Sequence, residues 1–172
     1  IDLVKIFFGR SIKFKEIFNV PSQEITDNMR MALAKEVARL AKKKSVDAII
    51  VTHGTDTLEE TAYFLHLTVP TNKPIIVTGA LRTSLHPSSD VMQNLIDSVR
   101  VAINIQAINK GVLVVANNTI VSAREIQKNK TFNVDALTGT GTGILGFVYN
   151  EIVDFHAKST KMHTKFSDFN IN

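Results

Sequence analysis

The sequence predicts an α/β fold, a doubly wound, mostly parallel sheet flanked by helices. Short apolar runs rich in β-branched residues, typical of strands buried on both faces, occur at 48–52, 75–78 and 112–115. The segments between them carry apolar residues at the 3.6-residue spacing of a helix. The first strand–helix–strand unit, residues 48–78, predicts a right-handed crossover, and the strands of such a sheet end at one edge, where ligands bind.

Three helices are predicted around these strands. The first covers residues 27–44 with Thr26 as its N-cap, because its apolar residues follow the helical period. The second covers residues 58–67 and ends before Pro70. The third ends near Gly111, and its predicted apolar face consists of Met92, Leu95, Ile96, Val99 and Ile103.

The pattern changes beyond Asn117, where short strands alternate with turns. These strands, at 119–124, 144–149 and 152–155, predict a β-rich C-terminal excursion that returns over the edge of the sheet. The repetitive stretch 138–143 resembles a phosphate cradle only superficially, since no helix opens after it and no lysine follows at P-loop spacing. A flexible turn is the favoured interpretation of this stretch.

Composition limits the classes of function. A chain of 172 residues with 44% hydrophobic content can bury one core, so residues 1–172 are expected to form a single domain. No apolar run reaches 18 residues, which gives no indication of a membrane partner. The net charge of +4 is spread thinly and no aromatic residues alternate with basic ones, so nucleic acid is not favoured either. With no cysteine and no metal-ligand spacing among its five histidines, the chain implies no cofactor and no metal.

Residues 51–61 place a hydroxyl and a carboxylate side by side where an apolar strand gives way to a helix. Gly54 permits a tight turn, and the helix that begins near Thr57 presents unpaired N–H groups to an anionic ligand. Two interpretations stay open from the residues alone. Thr55 and Asp56 form a ligand site at the edge of the sheet, or they belong to a plain strand-to-helix connection capped by Asp56 or Thr57.

Four blocks of sequence follow one another along the chain: Ser-Gln at 22–23, His-Gly-Thr-Asp-Thr at 53–57, Val-Thr-Gly-Ala-Leu-Arg at 77–82 and Ala-Arg-Glu-Ile-Gln-Lys at 123–128. In sequence and in order, these blocks resemble the bacterial-type L-asparaginase and glutaminase-asparaginase family. The likeness extends from Ser22 to the end of the chain. It implies that the fold is the large domain of that family, which is flavodoxin-like.

The resemblance also implies a function, hydrolysis of the side-chain amide of L-asparagine, and of L-glutamine in some members. It places Thr55 and Lys128 in one cluster, where an amine held near neutral by burial and neighbours deprotonates a hydroxyl or a water. Asp56 is expected to bind the α-ammonium of the substrate, and Ser22 and Gln23 its α-carboxylate. The expected catalytic residues are therefore Thr55, Asp56 and Lys128, and the expected substrate-binding residues are Ser22, Gln23, Thr55 and Asp56. Without the resemblance, Lys128 between Arg124 and Lys130 favours a surface lysine.

Two departures from the family pattern bear on this function. The family's Thr-Gly-Gly-Thr-Ile signature, which carries its principal nucleophile, and the tyrosine of the following loop have no counterpart in residues 1–20. The principal nucleophile is therefore not assigned to any residue of this chain. The family's small C-terminal domain is also expected to be absent.

Two alternative functions follow. One is an amino acid binder, or degenerate paralogue, that no longer hydrolyses its ligand. The other is the asparaginase-like subunit of a tRNA-dependent amidotransferase, which the sequences at 87–90 and 161–164 resemble. The family implies a homo-oligomer, a dimer or a tetramer, and the cytoplasm is preferred over the periplasm, although the sequence does not fix the compartment.

Overall fold

The computed structural model describes residue 9 and residues 11–159, 164–169 and 171. Part of the segment 1–20, and the 161–163 portion of the amidotransferase-like block, lie outside the described residues. The α-helices are α1 (Asp27–Ala41), α2 (Leu58–Thr68) and α3 (Val91–Ile103). The strands are β1 (Ile49–Thr52), β2 (Ile75–Thr78), β3 (Val112–Ala116), β4 (Thr119–Ser122), β5 (Ile126–Lys128), β6 (Leu137–Gly139), β7 (Ile144–Tyr149) and β8 (Ile152–Phe155). None of the helices in these ranges is long and apolar enough to span a bilayer.

Six of these strands form a mixed sheet in the order β1-β2-β3-β4-β7-β8. The pairs β1–β2 and β2–β3 are parallel, whereas β4, β7 and β8 join by antiparallel pairing. The predicted α/β class is confirmed, with the parallel part confined to the three apolar strands. Strands β4, β7 and β8 of the β-rich C-terminal part extend the same sheet beyond β3. Short turns join β3 to β4 and β7 to β8 as antiparallel neighbours, whereas a longer segment separates β4 from β7.

Helices cover both faces of the sheet. Buried residues of α1 and α2 pack with Ile75, Val77 and Val112, while those of α3 pack with Ile76 and Leu113, which point to the opposite face. The two parallel crossovers step across the sheet in the same direction, yet their helices lie on opposite faces. They therefore have opposite hand, and the right-handed rule holds for only one of them.

The structure corrects the predicted apolar face of α3. Met92 and Ile103 are 51% and 42% exposed, whereas Asn94, Asp97 and Ser98 are buried against the sheet. Asn94 explains the difference, because its side chain bonds backbone groups of two separate loops at the strand ends. A buried polar side chain is stable where it satisfies such groups, so hydrogen bonding decides which face of α3 turns inward.

Local details differ from the prediction in two further places. Thr26 is the N-cap of α1, accepting a hydrogen bond from the Met29 N–H at 3.3 Å, but the helix ends at Ala41 rather than at residue 44. Strands β5 and β6 form a separate two-stranded antiparallel sheet that sequence analysis did not predict. The stretch 138–143 is thus partly strand rather than wholly a turn.

Candidate active site

The candidate site lies at the carboxyl ends of β1 and β2. A 3-10 turn, Thr55–Thr57, follows β1 and continues directly into α2. Thr55 is buried, with 9% of its surface exposed, whereas the neighbouring Asp56 side chain is 41% exposed. The turn therefore holds a sheltered hydroxyl beside a carboxylate that solvent can reach.

Lys128 reaches this turn from β5. Its Nζ donates a hydrogen bond to Thr55 Oγ1 at 2.9 Å and forms an ion pair with the Asp56 carboxylate. The Lys128 side chain is only 13% exposed. It is therefore not the surface lysine that its sequence neighbours favour.

Ser22 and Gln23 pack on the same turn. The Asp56 N–H donates to Ser22 Oγ at 3.2 Å, and the Thr57 hydroxyl donates to the Ser22 carbonyl at 2.7 Å. The Gln23 amide donates to the Asp56 carboxylate. All five residues singled out from the sequence, Ser22, Gln23, Thr55, Asp56 and Lys128, thus lie in one cluster.

Two glycines allow this close packing. A Cβ on Gly54 would lie 2.7 Å from Ser22 Oγ, too close for the Ser22 turn to keep its place. A Cβ on Gly79, at the end of β2, would lie 2.5 Å from the His53 carbonyl oxygen and 3.1 Å from the Thr55 methyl group. The ends of β1 and β2 are therefore in direct contact beneath the site.

His53 contacts the backbone just before the turn and the helix that follows it. Its Nδ1 lies 2.7 Å from the Gly54 carbonyl oxygen, and its Nε2 lies 3.0 Å from the Thr61 hydroxyl. A neutral imidazole that donates through Nδ1 and accepts at Nε2 satisfies both contacts. Burial, the largest cause, lowers the pKa of His53 below its ordinary value, which agrees with that neutral form.

Sequence analysis missed one residue of this neighbourhood, Glu59. Its carboxylate accepts a hydrogen bond from the backbone N–H of Lys128 at 2.6 Å, across a separation of 69 residues. In the sequence Glu59 is indistinguishable from any acidic residue in the first turn of a helix. No local pattern therefore pairs it with β5.

The cluster has the parts for proton transfer and for binding a charged ligand. A hydroxyl, a lysine nitrogen and a carboxylate form one hydrogen-bonded chain, in which Lys128 is the central group. The exposed side of Asp56 offers an anion to a cationic group. Among the described residues no group of three or more His, Asp or Glu side chains is arranged to hold a metal ion.

Comparison with known proteins gives a consistent result. The model of the family described as "Asparaginase, N-terminal" matches residues 4–161. L-asparaginase 2 of Bacillus subtilis (strain 168) is 41% identical over 162 residues, which cover 94% of this chain and 43% of that protein. The probable periplasmic L-asparaginase of Haemophilus influenzae is 38% identical over 161 residues, covering 94% of this chain and 46% of that protein.

A solved structure agrees with these sequence matches. The crystal structure of a probable cytoplasmic L-asparaginase from Campylobacter jejuni superposes with a TM-score of 0.91 at 40% identity, covering 94% of this chain and 52% of that one. Relatives thus include periplasmic and cytoplasmic proteins, which leaves the compartment undecided. The chain spans about half the length of the relatives it matches. Because the family model covers most of its residues, the chain belongs to the bacterial-type asparaginase family, to whose N-terminal domain it corresponds.

Proposed function

We propose that this protein hydrolyses the side-chain amide of L-asparagine to L-aspartate and ammonia, through the site formed by Thr55, Asp56 and Lys128. The observation that carries the proposal is the hydrogen bond from Lys128 Nζ to Thr55 Oγ1, made at the carboxyl edge of the sheet in a member of this family. That contact joins a nucleophilic oxygen to a group able to exchange its proton.

Asp56 and the Ser22–Gln23 turn hold the head group of the amino acid. The α-ammonium of the substrate binds the exposed side of the Asp56 carboxylate, where it competes with Lys128 and Gln23. The Gln23 amide contacts this carboxylate and the Ser22 hydroxyl contacts the Asp56 backbone N–H, and both side chains supply donors for the α-carboxylate. A free amino acid, with both charges, fits this pair of groups better than an amide alone.

Lys128 moves the proton that hydrolysis requires. The reaction breaks the amide C–N bond, forms a C–O bond to water and releases ammonia, which must gain a proton as it leaves. Lys128 in its amine form accepts that proton from the attacking hydroxyl or water and returns it to the leaving group. The attacking oxygen is either Thr55 Oγ1 or a water that Lys128 activates beside it. When Thr55 attacks, its ester with the acyl group of the substrate forms as ammonia leaves, and water then cleaves the ester and restores the hydroxyl.

Two alternative functions are distinguished from this proposal by the experiment described in the next paragraph. An amino acid binder without hydrolysis is favoured by one observation, the contacts among Ser22, Gln23 and Asp56, which form a head-group site without requiring the Lys128–Thr55 bond. An amidotransferase subunit would release ammonia only with a partner and charged tRNA.

The test is ammonia release from L-asparagine and L-glutamine by the complete gene product, with calorimetry of L-aspartate binding. Turnover without any partner, abolished by Thr55→Ala, supports the proposal. Asp56→Ala is expected to weaken L-aspartate binding at least about 10-fold, the scale of losing a hydrogen bond between charged groups. Asp27→Ala, which removes a 99% exposed carboxylate, is the matched control and should leave binding unchanged. Binding of L-aspartate with no ammonia release from either amide contradicts the proposal and favours the binder.

A further inference from the structure

The backbone of Lys128 is held by a residue outside the proposed catalytic group. Glu59, in the first turn of α2, accepts the Lys128 N–H at 2.6 Å. The carboxylate belongs to a half-buried residue, and the bond is of the charge-assisted kind that is stronger than one between neutral groups.

The β5–β6 hairpin leaves this N–H in need of a partner. The hairpin's cross-strand bonds run from the Asn129 N–H to the Ala136 carbonyl and from the Thr140 N–H to the Glu125 carbonyl. Along an antiparallel strand every second residue hydrogen-bonds to the partner strand. In β5 and its flanking positions these are residues 125, 127 and 129, so the N–H of Lys128 points away from β6. Glu59 supplies the acceptor that the hairpin itself does not.

Thr55 and Glu59 belong to one continuous segment, the 3-10 turn and the start of α2. Lys128 is therefore attached to this segment by its backbone, through Glu59, and by its Nζ, through Thr55 Oγ1 and the Asp56 carboxylate. A lysine side chain has four rotatable bonds, so a defined Nζ position depends on a fixed Cα. The other contacts of β5 are its hydrogen bonds to β6 and the burial of Ile126 in the core.

We propose that Glu59 is a positioning residue, whose bond to the Lys128 backbone sets the distance between Lys128 Nζ and Thr55 Oγ1. This inference rests on the proposed function, in which that distance governs proton transfer. A displacement of about 1 Å at a reacting group lowers rates by up to about 100-fold. Loss of the bond is therefore expected to reduce kcat rather than substrate affinity.

A purely structural role of Glu59 at the start of α2 predicts a different result. Any acidic residue in that turn interacts favourably with the positive end of the helix dipole. Glu60, the next residue, shares this position but is exposed and forms no hydrogen bond among those described. Glu60→Ala is thus the matched control for charge at the helix start.

The experiment compares Glu59→Ala, Glu59→Gln and Glu60→Ala in the complete gene product. Glu59→Ala should lower kcat for L-asparagine at least about 10-fold with KM changed less than about 3-fold. Glu59→Gln, whose amide oxygen still accepts the N–H, should recover most of the activity, and Glu60→Ala should match the unsubstituted protein. Equal losses in Glu59→Ala and Glu60→Ala, or a loss confined to KM, would overturn the inference.

Crystal structures of the same variants decide the inference independently of turnover. A Lys128 Nζ to Thr55 Oγ1 distance that lengthens in Glu59→Ala, and not in Glu60→Ala, supports the positioning role. A distance that remains at the present 2.9 Å in Glu59→Ala overturns it. Absence of asparagine hydrolysis in the unsubstituted protein would instead contradict the proposed function, and the distance would still report on Glu59.

Discussion

Arg100 allows the energetic effect of burial to be measured with one cation and two carboxylates. On α3, its guanidinium lies 3.1 Å from Asp97, whose side chain is fully buried, and 3.1 Å from Glu151, whose side chain is 82% exposed. The chemical groups and the distance are alike in the two pairs, but the Asp97 pair is buried and the Glu151 pair is exposed to solvent. We expect Asp97→Ala to destabilise the protein far more than Glu151→Ala.

The expected magnitude follows from the contacts of each carboxylate. Asp97 also accepts hydrogen bonds from the amides of Gln93 and Asn118 at 3.0–3.1 Å, and its removal leaves these donors without their acceptor. Breaking a buried ion pair costs about 3–5 kcal/mol. Arg100 keeps Glu151 and is 17% exposed, so Asp97→Ala should fall at the lower end, about 3 kcal/mol. Glu151→Ala should cost about 0–1 kcal/mol, as exposed pairs do.

Urea titrations of both variants give the difference in free energy of unfolding directly. Since the exposed pair is screened by salt, the cost of Glu151→Ala should shrink further at high ionic strength, while the cost of Asp97→Ala should persist. A cost for Asp97→Ala within about 1 kcal/mol of that for Glu151→Ala would refute the reasoning, because burial would then add nothing to the pair.

Two further predictions concern substrate binding at the Ser22 turn and the stability of the folded protein in acid. Gly54→Ala places a methyl group 2.7 Å from Ser22 Oγ. Because this displaces the Ser22 turn, the KM for L-asparagine in steady-state assays is expected to rise, and an unchanged KM would contradict the prediction. Hydrogen bonds from Arg39, the larger cause, and from Lys15 lower the pKa of Glu36 from 4.5 to about 2. Since the folded state holds this carboxyl ionised, its stabilisation is present above pH 4.5 and is lost as the pH falls towards 2. Glu36→Gln should flatten that part of the stability profile in urea titrations between those pH values, and an unaltered slope would contradict the assignment.

Sequence patterns predicted the parts of the fold that burial alone specifies. The β-branched runs at 49–52, 75–78 and 112–116 form the parallel strands, since strands covered on both faces are built mainly from apolar side chains. Thr55 and Asp56 were predicted at the carboxyl edge of the sheet because they directly follow the apolar run that forms β1. These predictions required no knowledge of distant contacts.

Long-range contacts were beyond the reach of local patterns. Lys128 lies 73 residues from Thr55, and only the family resemblance put the two together. The predicted inward face of α3 is right at Val99 but wrong at the exposed Met92 and Ile103. Asn94 and Asp97 are buried instead, through hydrogen bonds to loops and turns that periodicity does not describe. Glu59 was missed because its partner is a backbone N–H, which every residue except proline possesses.

The most direct test of the proposed site compares Lys128→Ala with Lys130→Ala in ammonia release from L-asparagine by the complete gene product. Lys130 pairs with Asp135 at the surface, and both side chains are about half exposed, so its replacement should leave kcat unchanged. Lys128→Ala removes the proposed proton acceptor and should lower kcat about 100-fold to 10,000-fold, the usual contribution of general acid–base catalysis. Hydrolysis by Lys128→Ala at the rate of the unsubstituted protein would contradict the assignment of this cluster as the catalytic site.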